Sequence, residues 1–90
     1  MKFSEKVVVR NKMGLHTRPA TTIVKLLQGC KSHVNFTYRG ETINAKSILS
    51  ILMLAAPKNS KITITVEGAD ASSILEKLVN AFENEFDEGI

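Results

Sequence analysis

Cysteine is almost missing from this chain. Cys30 is the only one in 90 residues. An internal disulfide is therefore excluded, and no histidine–cysteine cluster with metal-ligand spacing accompanies it. Neither a metal nor a cofactor is expected, and Cys30 reads as a small, half-buried side chain near a helix end. Long hydrophobic runs are missing too. None approaches membrane-spanning length, and Met1-Lys2-Phe3-Ser4-Glu5 lacks the apolar stretch of a secretory leader. The expectation is a cytoplasmic chain with a reduced thiol and no membrane insertion. Charge of one sign is scarce: the net charge is +3. Such a balance permits attraction to anionic partners but lacks the dense basic stripe of a nucleic-acid binder. There is no Gly-rich nucleotide loop, and no linker, repeat or low-complexity segment. Glu83, Glu85, Asp87 and Glu88 form an acidic end rather than a paired-carboxylate site, and the stretch from Glu83 to Ile90 is expected to fray.

What is present suffices for one small domain over residues 1–90. A chain of this length buries somewhat over ~60% of its unfolded surface, and its 43% hydrophobic content is that of a globular protein. Phe3 to Arg10 reads as a strand with Phe3, Val7 and Val9 on one side, Val8 falling on the polar side. Ala20, Ile23, Val24 and Leu27 carry the spacing of one helix face, and Gly29 supplies a stop near Gln28. His33 to Tyr38 alternates, with Val34, Phe36 and Tyr38 inward and His33 toward solvent. Arg39-Gly40 reads as a tight hairpin turn into Glu41-Thr42-Ile43. Ile62, Ile64 and Val66 alternate with threonines in a fourth strand, closed by Glu67-Gly68. Asp70 is placed to cap a last helix that buries Ile74, Leu75, Leu78 and Phe82. Strands apolar on one face only predict an α+β fold, with a sheet covered by helices on one side.

The stretch Gly14-Leu15-His16-Thr17-Arg18-Pro19-Ala20 lies where the period changes from two to 3.6. His16 thus falls at or next to a helix N-cap. Pro19 fits a first turn, where backbone donors have no carbonyl partner, and Gly14 allows the approaching chain to bend. The helix start offers the free N–H groups of Thr17 and Arg18 and the positive end of the dipole. Arg18 adds a guanidinium fork suited to phosphate oxygens. A neutral imidazole is a competent nucleophile toward an activated phosphoryl group, and the helix end disfavours the imidazolium. From these seven residues alone two readings stand: a phosphoryl-accepting histidine, or the commoner arrangement of a loop histidine before a helix with Arg18 solvated.

The second helix breaks the amphipathic rule. Ser47 to Ala56 is apolar almost all round, and a short helix in a small domain buries only part of its surface. Some of Ile48, Leu49, Leu52 and Met53 are therefore expected at the surface, where an apolar cluster marks a docking site; burial of most of them is the competing reading. Ser47 is a favoured N-cap.

Gly14 to Ala20 resembles the active-site signature of the HPr family, the histidine phosphocarriers of the bacterial phosphoenolpyruvate-dependent phosphotransferase system. Asn44-Ala45-Lys46-Ser47-Ile48 resembles that family's second signature at the matching distance. The resemblance covers essentially the whole chain. It implies an open-faced β-sandwich of βαββαβα order, a four-stranded antiparallel sheet with three helices on one face. It implies phosphorylation of His16 on Nδ1, charge compensation and phosphate binding by Arg18 with Thr17, and regulatory phosphorylation at Ser47. It further implies docking through Thr21, Lys25, Gln28, Ile48, Leu49 and Leu52. The implied partners are enzyme I, enzyme IIA domains and HPr kinase/phosphorylase, and the protein would be a monomeric carrier rather than an enzyme. The stretch Leu54-Ala55-Ala56-Pro57-Lys58-Asn59-Ser60 lacks the glycine-containing turn of many relatives, and Met53-Leu54-Ala55-Ala56 looks closer to the nitrogen-related branch and other proteobacterial-type carriers, so a nitrogen-related carrier or a serine-phosphorylated corepressor is the alternative. The strand–helix order is shared with RNA-binding folds, but Phe36 and Tyr38 fall on the expected core face instead of a base-stacking surface.

Overall fold

The computed structural model describes residues 1–88. Four strands and three helices follow in the order β1 (Lys2–Val8), α1 (Thr17–Leu27), β2 (Ser32–Tyr38), β3 (Glu41–Asn44), α2 (Ile48–Leu54), β4 (Lys61–Gly68) and α3 (Ala71–Glu83), with a short 3₁₀-type turn at Glu85–Asp87. The strands form one antiparallel sheet in the order β1-β4-β2-β3. It is the open-faced α+β sandwich expected from the sequence.

Register explains why one face is dry. Phe3 opposes Val66, which opposes Val34; Ile64 opposes Phe36, which opposes Ile43; Val7 opposes Ile62. Because side chains alternate with period two, these rows share a face. Val34, Phe36, Ile62, Ile64 and Val66 are buried, and with Ile23, Ile51, Leu78 and Phe82 they form the core against the helices. The other face carries Ser4, Thr65, Thr37 and Thr42, whose hydroxyls pair across strands (Ser4–Thr65 3.2 Å, Thr37–Thr42 2.8 Å). Val8 lies on that face and is exposed, while His33 also points to solvent. Arg39 and Gly40 both take positive φ (51° and 82°), the geometry of a two-residue turn whose twist matches the flanking strands.

Several local expectations are corrected. The first strand ends at Val8, not Arg10, although the next residue still bonds across to the loop before β4 (Val9 N–H to Ser60 C=O, 2.9 Å). The second helix ends at Leu54, not Ala56. Ala55 turns into the left-handed region (φ 52°) and closes the helix without a glycine. Asp70 does sit at the N-cap of α3, but its carboxylate makes no cap bond. It accepts instead from the Lys31 N–H (2.9 Å) and the Ser32 hydroxyl (2.5 Å), and these bonds, the serine's first, hold its pKa below the usual carboxylate value. The acidic end, expected to fray, is folded in the structure, with α3 running to Glu83 and a 3₁₀-type turn over Glu85–Asp87. Phe86 is buried, its ring edge-on to Phe82 at 4.8 Å, and Phe82 is edge-on to Phe36 at 5.7 Å. Gly89 and Ile90 lie outside the described residues.

Candidate functional site

His16 is the N-cap of α1. Its carbonyl accepts the first intrahelical bond, from the Ala20 N–H at 3.0 Å. Pro19 has no N–H to offer, and the donors of the first turn have no carbonyl beneath them. The His16 side chain makes no cap bond, so the imidazole is not spent on holding the helix together. About a third of it is exposed (34%), and Arg18, in the first turn, is 75% exposed. Thr17 opens the helix at the surface, its carbonyl accepting from the Thr21 hydroxyl at 2.8 Å.

The loop before His16 is fixed from behind. Gly14 has φ +68°, its N–H bonds to the Asn11 carbonyl (2.9 Å), and the Leu15 N–H bonds to the Ala56 carbonyl (3.0 Å). A Cβ at Gly14 would press on that carbonyl oxygen and stand 2.9 Å from Pro57 Cα. Only glycine meets both the backbone angle and the close approach. Leu15 is buried, Pro19 and Ala20 are buried on the inner side of the first turn, and His16 between them is left at the rim.

A carboxylate occupies the site that sequence reasoning missed. Glu88 Oε2 lies 3.0 Å from His16 Nε2 and Oε1 3.2 Å from it, while Arg18 Nη1 stands 3.9 Å from Oε2. Asn11, 1% exposed, donates through Nδ2 to Glu88 Oε1 (2.5 Å) and to the Glu85 carbonyl (2.8 Å). Glu85, Phe86 and Asp87 all take positive φ (54°, 53° and 61°), which costs about 1–2 kcal/mol each for residues with a Cβ. Phe86 burial and the two Asn11 bonds hold the turn against that strain. The readable signal was Phe86 itself, one apolar residue four places after Phe82 in an acidic stretch.

Asn11, Lys12, Met13, His16, Arg18, Glu85 and Glu88 line a groove of about 290 Å³. A second groove, of about 280 Å³, runs from the other side of His16 past Met13 and Leu52 to Ala56 and Pro57. Leu52 is thus brought to the histidine. Ile48, Leu49 and Met53 are exposed on α2, as is Met13, which the sequence reading passed over. Lys25 and Gln28 are exposed near the end of α1, which packs against α2. Ser47 caps α2, its hydroxyl accepting from the Ser50 N–H at 3.2 Å. Among the described residues, no group of three or more His, Cys, Asp or Glu is placed to hold a metal ion, and no helix is long and apolar enough to cross a membrane.

An imidazole at a helix N-cap, beside an exposed arginine and an apolar helix, matches a known constellation. The family model described as the PTS HPr component phosphorylation site matches residues 3–84. The chain belongs to the HPr family of the phosphotransferase system. It is 49% identical over 81 residues to the phosphocarrier protein HPr of Chlamydia pneumoniae, a match covering 90% of this chain and 75% of that one. In structure it is similar to HPr of Thermoanaerobacter tengcongensis (TM-score 0.93, 28% identity, 98% and 99% of the two chains). HPr of Bacillus anthracis is also similar (TM-score 0.85, 38% identity, 90% and 96%), as is the Bacillus subtilis catabolite repression protein Crh (TM-score 0.75, 36% identity, 90% and 93%). HPr proteins are phosphocarriers, not catalysts. The segment carrying Glu88 lies beyond the residues that the family model matches.

Proposed function

We propose that this chain, as a single monomeric domain, is a relay. His16 accepts a phosphoryl group from phospho-enzyme I and passes it to a histidine on an enzyme IIA domain. The Nδ1 lone pair of His16 attacks phosphorus. The N–P bond of the donor phosphohistidine breaks, and its electron pair returns to the donor ring. The single observation that carries this reading is His16 standing, accessible and unused for capping, where the backbone donors of α1 begin. Those donors and the Arg18 guanidinium attract the transferred phosphate. An open rim with one arginine holds phosphate loosely, which suits a group that must be handed on. Exposed Ile48 and Leu49, with Leu52 in the groove beside His16, offer an apolar contact for both partners, and Thr21, Lys25 and Gln28 are assigned to the same docking surface.

Incubation with phosphoenolpyruvate, magnesium and enzyme I should load acid-labile, base-stable phosphate. His16→Ala should load none; incorporation into that variant would defeat the assignment.

A regulatory reading rests on Ser47. Its hydroxyl caps α2 directly before exposed Ile48 and Leu49, so a phosphate there, added by an HPr kinase/phosphorylase, would set a dianion against the apolar docking surface. Service in a nitrogen-related branch or as a corepressor is separated from sugar transport by which enzyme IIA or regulator discharges phospho-His16.

A further inference from the structure

The geometry points to Glu88 as a positioning residue that selects the tautomer of His16. This inference rests on the phosphoacceptor reading above and adds to it a residue outside the matched family segment. A carboxylate only accepts hydrogen bonds. With both Glu88 oxygens on Nε2, at 3.0 and 3.2 Å, the ring proton belongs on Nε2, and the lone pair falls on Nδ1. No described residue hydrogen-bonds Nδ1, so that lone pair is uncommitted. The phosphorylated ring keeps the same Nε2–H, so attack and departure at Nδ1 need no proton to move elsewhere on the ring.

Glu88 is itself oriented. Asn11 is almost fully buried, and both hydrogens of its Nδ2 are taken, one by Glu88 Oε1 and one by the Glu85 carbonyl. The backbone of residues 85–87 runs left-handed throughout, a conformation that persists only where surrounding contacts impose it. Phe86 packed on Phe82 and the Asn11 bonds are those contacts. The arrangement resembles the carboxylate–imidazole pair of a hydrolase triad, where the acid fixes which nitrogen is free. Arg18, at 3.9 Å from Glu88 and largely exposed, stays available to swing onto phosphate. Lys12 and Glu85 are the other charged groups of this groove.

Glu88→Gln tests the assignment. Asn11 still demands an acceptor at the Oε1 position, so the oxygen of the new side-chain amide should take that place and its NH₂ should face Nε2. The His16 proton should then move to Nδ1. Long-range ¹H–¹⁵N spectra, recorded where both imidazoles are neutral, read this directly. His33, the only other histidine and exposed on β2, serves as an internal control that should not change. Wild type should show an unprotonated Nδ1 at His16, and E88Q the reverse. Loading by enzyme I should slow about tenfold to a hundredfold in kcat, with KM for the carrier little changed. The same His16 tautomer in both proteins, or loading of E88Q at the wild-type rate, overturns the proposal. A wild type that takes no phosphate defeats the relay reading instead, while the spectra still decide what Glu88 does to the ring.

Discussion

Two glycines with nearly the same backbone angle separate conformational strain from close contact at the site. Gly14 has φ +68° and Gly29 has φ +77°. A Cβ at Gly29 would meet nothing within 4 Å, whereas one at Gly14 would run into the Ala56 carbonyl and stand 2.9 Å from Pro57 Cα. A left-handed alanine costs about 1–2 kcal/mol, partly offset by about 0.4–1 kcal/mol from a less mobile unfolded chain. Gly29→Ala should therefore lose about 1 kcal/mol or less. Gly14→Ala carries the same cost plus overpacking of about 1–3 kcal/mol. The obstructing atoms are backbone, held by the Leu15–Ala56 hydrogen bond, so no side chain can swing away. The expected loss is about 2–4 kcal/mol, a large share of the ~5–13 kcal/mol available to a chain of this size. Urea unfolding of the three proteins at one temperature measures the difference. Equal losses at the two positions would refute the view that the 56–57 segment buttresses the His16 loop.

Ser47→Ala removes the N-cap of a helix only seven residues long. It should cost about 1 kcal/mol in urea unfolding while leaving phosphate loading of His16 intact. Asp70→Asn should matter only away from acid. Because hydrogen bonds from Ser32 and Lys31 lower the Asp70 pKa in the folded state, its contribution is complete above the unfolded carboxylate value of about 4. It is lost as pH falls through the folded value. The thermal stability gap between wild type and variant should thus be widest near neutrality and close below about pH 4. A gap that persists at low pH would contradict the role given to the Ser32–Asp70 bond.

Much of this protein was open to inspection in one dimension. The alternation of Val34, Phe36, Ile62, Ile64 and Val66, the helix face of Ala20, Ile23 and Leu27, the Arg39-Gly40 turn and the His16 N-cap all depend on neighbours within a few positions. Backbone preference and side-chain period act at that range. The two signature segments belong to the same class of information. Element ends were the weak point, because Ala55 and residues 85–87 adopt left-handed geometry that their own side chains disfavour and that only surrounding packing sustains.

The rest belongs to the third dimension. Nothing local says that β4 enters between β1 and β2, or that the Asp70 carboxylate turns from its own helix to Ser32, 38 positions away. His16 and Glu88 are separated by 72 positions, and their meeting requires the whole sheet to close and Phe86 to find Phe82. A residue's chemistry is written in its side chain, but the partner that tunes it is chosen by packing, which sums over contacts that no short window of sequence contains.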